Sequence, residues 1–510
     1  MPIAPCQETL NSNDCYAALL KHDVGADGHW YVGVTSTGIY CRPICRVRTP
    51  KPENCRFFKH AAQAEAAQFR PCLKCRPELA PGRPLRWSVM DASSTLAQQA
   101  RSLLDANLQS GQAHSLEMIA QRLGVTARHL RRIFAVEYGV SPIQYLQTQR
   151  LLRAKQMLTD TLLPMSEIAH RSGFASLRRF NAAFALSYRM QPSQLRSTNI
   201  TAKKPLNIPV SQPYNALAML EFLARRAIPG VEVVDLESLT IARTLRLSDS
   251  LTGWLRIGLD PNAQLARVES CASLQAYMLD ILEIARRWLD LTSDGHLIDS
   301  HLSSLPACAS HEPGIRLPGC VDRFELAVRA ILGQQISVAG ARTMANRLNE
   351  RYGQALEPQM QDGVPAGLTH LFALPETLAH AGAQHIAQIG LPQRRAETLH
   401  AVAQRWPTLA LAKADARAQD IIPELLSIPG LGPWTAQYIV MRALSHPDAW
   451  PAGDLILRRQ LAPVDSPKPL TERACETAAQ AWQPYRSYAV MRLWRGASLP
   501  PLTENLYGHE

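Results

Sequence analysis

Four cysteines in two close pairs are the first residues in this chain whose spacing implies chemistry. Cys41 and Cys45 lie in TGIYCRPIC, Cys72 and Cys75 in FRPCLKC. Two such pairs, separated by about a helix and a loop, suit a tetrahedral Zn²⁺ held by four thiolates. A structural zinc ribbon and a reactive thiolate site both fit that spacing. Four thiolates around Zn²⁺ carry a net charge of −2, which keeps one sulfur anionic and nucleophilic at neutral pH. A second candidate lies in SIPGLGPWTAQYIVMRALSHPDAWPAGDLILRRQL, Ser427–Leu461. Its Gly430-x-Gly432 turn separates two apolar runs. A helix starting there offers unpaired N–H groups to a phosphate oxygen. Asp454 follows Gly432 by 22 residues, after a Pro-Ala-Gly loop. An Asp there can cap the helix LILRRQL, and a carboxylate can also stabilise developing positive charge.

The elements that position these residues must span several cores. A chain of 510 residues exceeds what one core supports, and three to four domains are expected. The net charge of +11 is uneven: residues 1–205 hold 27 Lys+Arg against 13 Asp+Glu, and residues 206–510 hold 27 against 30. Basic excess in the first part suits phosphate contacts, although a solvated basic surface has the same composition. Eleven cysteines without a secretory leader point to metal or chemistry rather than disulfides. Neither a signal-like N-terminus nor a run of transmembrane length is seen, so a cytoplasmic, nucleoid-associated protein without membrane partners is expected.

After a basic spacer, PGRPLRW, come two similar stretches, SLEMIAQRLGVTARHLRRIFAVEYGVSP and PMSEIAHRSGFASLRRFNAAFALSYRMQP. Each predicts an amphipathic helix, a Gly turn (Gly124, Gly173) and a second helix with paired arginines, the helix-turn-helix pattern. Arg128, His129 and Arg132, then Ser176, Arg178 and Arg179, are the candidate groove-facing residues. STNITAKKPLNIPVSQP reads as a linker. YNALAMLEFLARRA predicts a helix, VEVVDLE, LTIARTLRL and GWLRIGL predict strands, and LQAYMLDILEIARRWLDL predicts another helix. From Leu317 onward the pattern is helical. The expected class is multidomain and mainly α: a zinc domain (1–85), a double helix-turn-helix domain (88–197), a linker (198–213), a small α+β domain (214–300) and an all-α helix-hairpin-helix domain (314–500).

Several of these segments resemble known families. The N-terminal cysteine region resembles the metal-binding domain of the Ada response protein. That resemblance implies that the first cysteine, Cys41, irreversibly accepts a methyl group from DNA methylphosphotriesters, and that Arg46, Arg48 and Arg70 hold flanking phosphates. The duplicated helical region resembles AraC-type activators, which implies promoter DNA and RNA polymerase as partners. Its second half carries Arg189 where the family commonly has Gly after Tyr188, which predicts an altered closing turn. From about Tyr214 to Arg495 the chain resembles AlkA-type 3-methyladenine glycosylases of the helix-hairpin-helix superfamily. Bifunctional relatives carry a Schiff-base Lys where this chain has Trp434, so base release without strand cleavage is implied. Asp454 is the implied catalytic acid, and Gly430 and Gly432 the phosphate-binding turn.

The same resemblance assigns Trp434, Tyr438, Trp494 and Phe222 to the base pocket, where electron-rich faces would hold a cationic alkylated purine. Each of these residues also suits a hydrophobic core. GQQIS occupies the place of the duplex wedge, with Gln335 or Ile336 filling the gap of the extruded base. Leu455 stands where some relatives have Tyr and is expected to change the pocket wall. No iron–sulfur cluster is expected, because the four closely spaced cysteines of that branch are missing. The Pro-Cys-His-Arg motif of an O6-methylguanine methyltransferase is missing too. Two readings follow: a repair protein combining methyl acceptance, activation and base excision, or a purely regulatory DNA-binding protein with structural zinc and an inactive glycosylase fold. The complete cysteine and Asp454 sets favour the first.

Overall fold

The computed structural model describes residues 10–80, 92–110, 115–161, 163–196, 206–248, 251–357, 363–413, 416–463 and 466–498. The spacer PGRPLRW and residues 198–205 of the expected linker lie outside them, as does Cys6. The chain forms two compact units. The first covers the residues up to Lys204, with Ile208–Val210 and Gln275–Asp280; the second covers the remainder.

In the first unit the cysteine region is built on a four-stranded sheet, a feature not expected from the sequence. The strands run in the order Cys55–Phe58, Tyr31–Val34, Ile39–Cys41, Arg70–Pro71. Val-, Tyr- and Phe-rich runs favour these short strands, and a turn with Gly38 at φ 64° closes the hairpin that ends on Cys41. Arg70 and Pro71 pair in parallel with Ile39 and Tyr40, and the Cys72 N–H donates to the Tyr40 carbonyl at 3.0 Å. Strand register therefore carries the second cysteine pair to the first.

The helix-turn-helix halves are Leu116–Arg122 with Ala127–Tyr138, and Met165–Arg171 with Leu177–Tyr188. Pro142–Asp160 runs between them, and Ala92–Ser110 precedes them. Thr126 and Ser176 cap the two second helices through their hydroxyls. Gly124 and Gly173 take φ 69° and 79° in the intervening turns, as that backbone requires. Phe134, Tyr138 and Tyr145 fill the first core, Phe180, Phe184 and Tyr188 the second. The altered closing turn expected at Arg189 does not occur. Arg189 adopts φ 55°, ψ 33°, the left-handed conformation that Gly139 takes in the first half at φ 67°, ψ 8°. Its N–H donates to the Ala185 carbonyl at 2.9 Å, as that of Gly139 donates to Ala135. Tertiary packing on Tyr188 outweighs the modest cost of a left-handed side-chain residue.

The second unit opens with the helix Ala216–Ala224 and an antiparallel meander, Glu232–Asp235, Thr240–Ser248, Leu251–Asp260 and Leu265–Ser270. The last of these strands was not among those expected. Its residues LARVES alternate clearly only once paired with Leu251–Asp260. Leu206–Pro209, expected as linker, is a strand as well, and beyond the meander the chain is mainly helical with a two-residue pair, Gln354–Ala355 with His370–Leu371. One apolar core joins the helices Arg323–Leu332, Pro433–Ala443 and Arg486–Ser498. Among the described residues no helix is long and apolar enough to cross a membrane.

Candidate functional sites: a thiolate cluster, paired helices and an aromatic pocket

The Sγ atoms of Cys41, Cys45, Cys72 and Cys75 all lie within 4.8 Å of one another. Thiolates bound tetrahedrally at about 2.3 Å from Zn²⁺ would sit about 3.8 Å apart, so these residues fit a zinc site. The donor set is thiolate only, and it is nearly sealed: Cys41 and Cys45 are each 4 % exposed and Cys72 6 %, with Cys75 the most open. Around it stands a polar brace that sequence reading missed. Arg42 donates its backbone N–H to the Cys75 sulfur (3.3 Å) and its side chain to the Cys75 carbonyl (3.0 Å). Its guanidinium also forms a buried two-pronged pair with Asp27, Nε to Oδ1 at 2.9 Å. Such outer contacts fix the orientation of metal ligands. Nothing in the local pattern linked Asp27 to Arg42 before the fold paired them. Arg46 and Arg48 are exposed beside the cluster and Arg70 is half-buried. Lys74, exposed and tied to the Arg46 carbonyl at 3.1 Å, adds a cation that sequence reading did not single out. Cys15 and Cys55 pack in the same apolar cluster without joining the four.

In the paired helices, Arg128, Arg132, Ser176, Arg178 and Arg179 are exposed and His129 is half-buried. His129 Nδ1 and an Arg132 guanidinium nitrogen are 3.2 Å apart. Both second helices thus present cations on their outer faces, with the aromatic residues turned to the core.

In the second unit Asp454 is 9 % exposed and caps the helix Leu455–Gln460, its Oδ1 accepting the Leu457 N–H at 3.0 Å. Two indoles also hold it: Trp434 Nε1 donates to Oδ2 at 3.0 Å and Trp494 Nε1 to Oδ1 at 3.2 Å. The carboxylate is therefore satisfied by neutral donors and fixed at the wall of a cavity of about 380 Å³. Capping and pocket placement coexist. Trp434 stacks on Tyr438 (5.4 Å between centroids, 10°), and Phe222 lies parallel to Trp494 (6.5 Å, 11°). Both spacings fall in the ordinary range for paired aromatic rings. All four expected aromatics line the cavity, as does Ile336. Leu455 does not line it; its neighbour Ile456 does, although the two are almost equally exposed at 48 % and 46 %.

The hairpin joins Ala418–Leu426 to Pro433–Ala443. Gly430 has φ 90°, and a Cβ there would fall 2.0 Å from Thr398 Oγ1, so the turn admits only glycine; Gly432 faces open space. Gln335 is exposed at φ 57°. Its neighbour Gln334, missed in the sequence, donates to the Gly430 carbonyl (3.1 Å) and Thr435 Oγ1 (2.9 Å), tying the GQQIS loop to the hairpin. In the lining of the same cavity Arg243 and Arg329 both pair with Glu232 and Glu325 at 2.5–2.8 Å. Arg226 and Arg442, also missed, line the cavity. Only chain folding carries Arg442 to the carbonyls of Pro318 and Gly319.

Four family models match the chain. They are the metal-binding domain of Ada (residues 14–78), a helix-turn-helix domain (119–198), the AlkA N-terminal domain (205–322) and the HhH-GPD superfamily of base excision DNA repair proteins (328–484). The chain is 34 % identical to the "Probable bifunctional transcriptional activator/DNA repair enzyme AlkA" of Mycobacterium tuberculosis, over 94 % of its own length and 95 % of that protein. It is 31 % identical to "DNA-3-methyladenine glycosylase 2" of Escherichia coli, covering 55 % of this chain and 94 % of that one. Its first part is 32 % identical to the Escherichia coli "Bifunctional transcriptional activator/DNA repair enzyme Ada", over 29 % of this chain and 39 % of that protein. With a zinc-binding thiolate cluster, paired helix-turn-helix units and a carboxylate-bearing aromatic pocket on one polypeptide, the chain belongs to the family of bifunctional transcriptional activator/DNA repair enzymes of the AlkA type.

Proposed function

We propose that this protein acts on alkylated DNA in two ways. It excises damaged bases of the 3-methyladenine type by N-glycosidic hydrolysis, and it accepts methyl groups from methylphosphotriesters on Cys41, after which it activates transcription. Relatives with both halves and the four matched domains support this reading. In it, residues 1–85 hold the methyl acceptor, 88–197 the promoter-binding helices, and 214–300 with 314–500 the glycosylase. DNA is the partner of both units, at the nucleoid in the cytoplasm, and RNA polymerase is the partner of the activator.

The Asp454 carboxylate, held by two indole N–H groups at the cavity wall, is the observation that carries the glycosylase assignment. With a base in the cavity, the C1′–N bond breaks and its electron pair leaves with the base. The resulting oxocarbenium-like sugar is stabilised by the carboxylate, and water adds to C1′ with loss of a proton. Trp434 in the Schiff-base position supports hydrolysis without strand cleavage. Gly430 and Gly432 present the phosphate-binding turn, and Gln335 with Ile336 fills the space of the extruded base. Asp454→Asn keeps the cap geometry but removes the charge. Free-base release from methylated DNA should then fall by about 10³-fold, several kcal/mol of lost electrostatic stabilisation. Undiminished release would refute the role.

In the first unit Cys41, Cys45, Cys72 and Cys75 would hold a Zn²⁺, which when bound would keep the sulfurs anionic. The Cys41 thiolate attacks the methyl carbon, the C–O bond breaks, and the electron pair stays on the phosphate oxygen, leaving a thioether and a phosphodiester. The Arg42 N–H that Cys75 accepts lowers the nucleophilicity of that sulfur, although it is the more exposed. Loss of one negative charge lowers repulsion toward DNA phosphates. Arg128, Arg132, Arg178 and Arg179 then engage promoter DNA, with Arg48 and Arg70 holding phosphates near the cluster.

A further inference from the structure

The helix Val338–Tyr352 divides two recesses. Its residues Ala341 and Ala345 face the aromatic cavity, while Ala339, Thr343 and Asn346 face a second, open groove of about 590 Å³. Val338 and Arg342, one turn apart, border both. A period of 3.6 residues places these three sets on neighbouring stripes of one helix, with Val338 and Arg342 in the middle. Arg225, just past the helix Ala216–Ala224, also borders both, and Pro229 completes the groove. Arg225 and Arg342 are exposed, and among the described residues neither pairs with a carboxylate. Arg342 spends its Nε on the Ala227 carbonyl at 2.8 Å, which leaves the rest of its fork open. The acids nearby are engaged elsewhere. Glu221, one turn before Arg225, pairs with Arg495, and Glu350 accepts from Asn346 at 2.9 Å. In the cavity Glu232 and Glu325 pair with Arg243 and Arg329, while Asp322 and Asp454 cap helices. The groove lining itself contains two arginines and no carboxylate. Between groove and cavity stand two apolar side chains, Ile336 at 40 % exposure and Val338 at 42 %. The loop that carries them is tied at its start to the hairpin through Gln334 and opens at its end onto the groove.

We propose that this groove binds the sugar-phosphate backbone of the strand opposite the extracted base, with Arg225 and Arg342 on its phosphates. The proposal rests on the glycosylase reading above. In that reading the damaged strand sets a phosphate on the Gly430–Gly432 turn and its base in the cavity. The loop tip at Gln335 and Ile336 then stands in the base stack. Along the loop, the hairpin contact comes before the tip and the groove comes after it, so the two strands fall on its two sides. The opposite strand has lost a base pair and a stacking neighbour, at a cost of a few kcal/mol. Charge-assisted contacts to its phosphates offset that cost and hold the gap open around the tip. An exposed groove with two uncompensated cations suits a polyanion, and its contacts carry no sequence information, as excision at any site requires.

The test measures single-turnover base release by the full-length, zinc-loaded protein from short duplexes carrying one 7-methylguanine. Wild type, Arg225→Gln, Arg342→Gln and the double variant are compared over a range of salt concentrations. Each lost arginine should raise the half-saturating protein concentration by about tenfold, a larger change than in the maximal rate. The slope of log affinity against log salt should flatten by about one for each arginine removed. Neutral methylphosphonate linkages are then placed singly along the strand opposite the lesion. Near the lesion such a linkage should weaken the wild type and leave the double variant unaffected. Half-saturation and salt slope unchanged in the double variant overturn the proposal. So does a defect matched only by methylphosphonates in the damaged strand, which would put that strand in the groove. Should Arg342→Gln fail to fold for want of its Ala227 contact, Arg225→Gln carries the test, since no such contact is made by Arg225 among the described residues. A wild type that releases no base overturns the glycosylase reading. Release that persists with groove variants equal to the wild type overturns this proposal alone.

Discussion

In the thiolate cluster four ionisable sulfurs crowd within 4.8 Å, whereas in the pocket a single carboxylate stands among neutral N–H donors. The cluster needs a cation to exist at all, since four thiolates so close repel strongly at any reasonable effective dielectric. The pocket needs none, because two indoles and a helix N-terminus satisfy Asp454. The difference matches what the proposed chemistry asks of each anion. A thiolate that becomes a thioether is consumed, so the event can serve as a signal. A carboxylate that only stabilises passing charge is returned after every turnover.

Removing zinc by chelation breaks this contrast most sharply. Metal binding by such sites is worth on the order of 10 kcal/mol. Chelation should therefore expose the segment around Cys41–Cys75 to protease and abolish methyl acceptance, while base release continues at its original rate. Loss of both activities together would mean that the two sites are not independent. A smaller effect is expected from Trp434→Phe, which keeps the ring but removes one donor to Asp454. Base release in single-turnover assays should drop by about tenfold, the worth of one charge-assisted hydrogen bond.

Glu65 supplies a contrast to Asp454 in the way a carboxyl is supported. It meets hydroxyls rather than backbone or indole N–H groups: Thr148 at 2.9 Å, Tyr40 at 3.1 Å and Tyr188 at 3.4 Å. Burial raises its pKa from 4.5 to about 7, against the pull of those hydroxyls and Lys155. The folded state then holds the proton more tightly than the unfolded chain between these values. Stability should fall as pH rises through that window and level off above about 7. Thermal midpoints of the zinc-loaded protein should show this decline, and Glu65→Gln should reduce its slope. The smallest effect concerns the two helix-turn-helix halves, which close on Gly139 and on Arg189 in the same backbone conformation. Arg189→Gly should stabilise the second half by about 0.5–1 kcal/mol, seen as a higher denaturant midpoint.

The sequence carried local signals well. Cysteine spacing, the Gly-x-Gly turn, Asp454 and the duplicated helix pair are all patterns within a few turns of chain. What it hid are pairings across long separations. Arg42 finds Asp27 because the fold packs them together, and Arg442 finds Pro318 and Gly319 from over 100 residues away. No periodicity marks an arginine whose partners are distant carbonyls. Arg226 was invisible for another reason: it reads as one more cation at the end of an amphipathic helix. Only its position over Phe222 gives it meaning.

The claim that one chain runs two separable alkylation chemistries is tested most directly by following labelled methyl groups. DNA carrying both methylphosphotriesters and methylated bases is incubated with the full-length protein, and the label is divided between protein and free base. The prediction is label in both fractions, with the protein-bound part recovered as S-methylcysteine at Cys41 by mass spectrometry and the free-base part lost in Asp454→Asn. Label in neither fraction, or S-methylation at Cys75 with Cys41 unmodified, would contradict it.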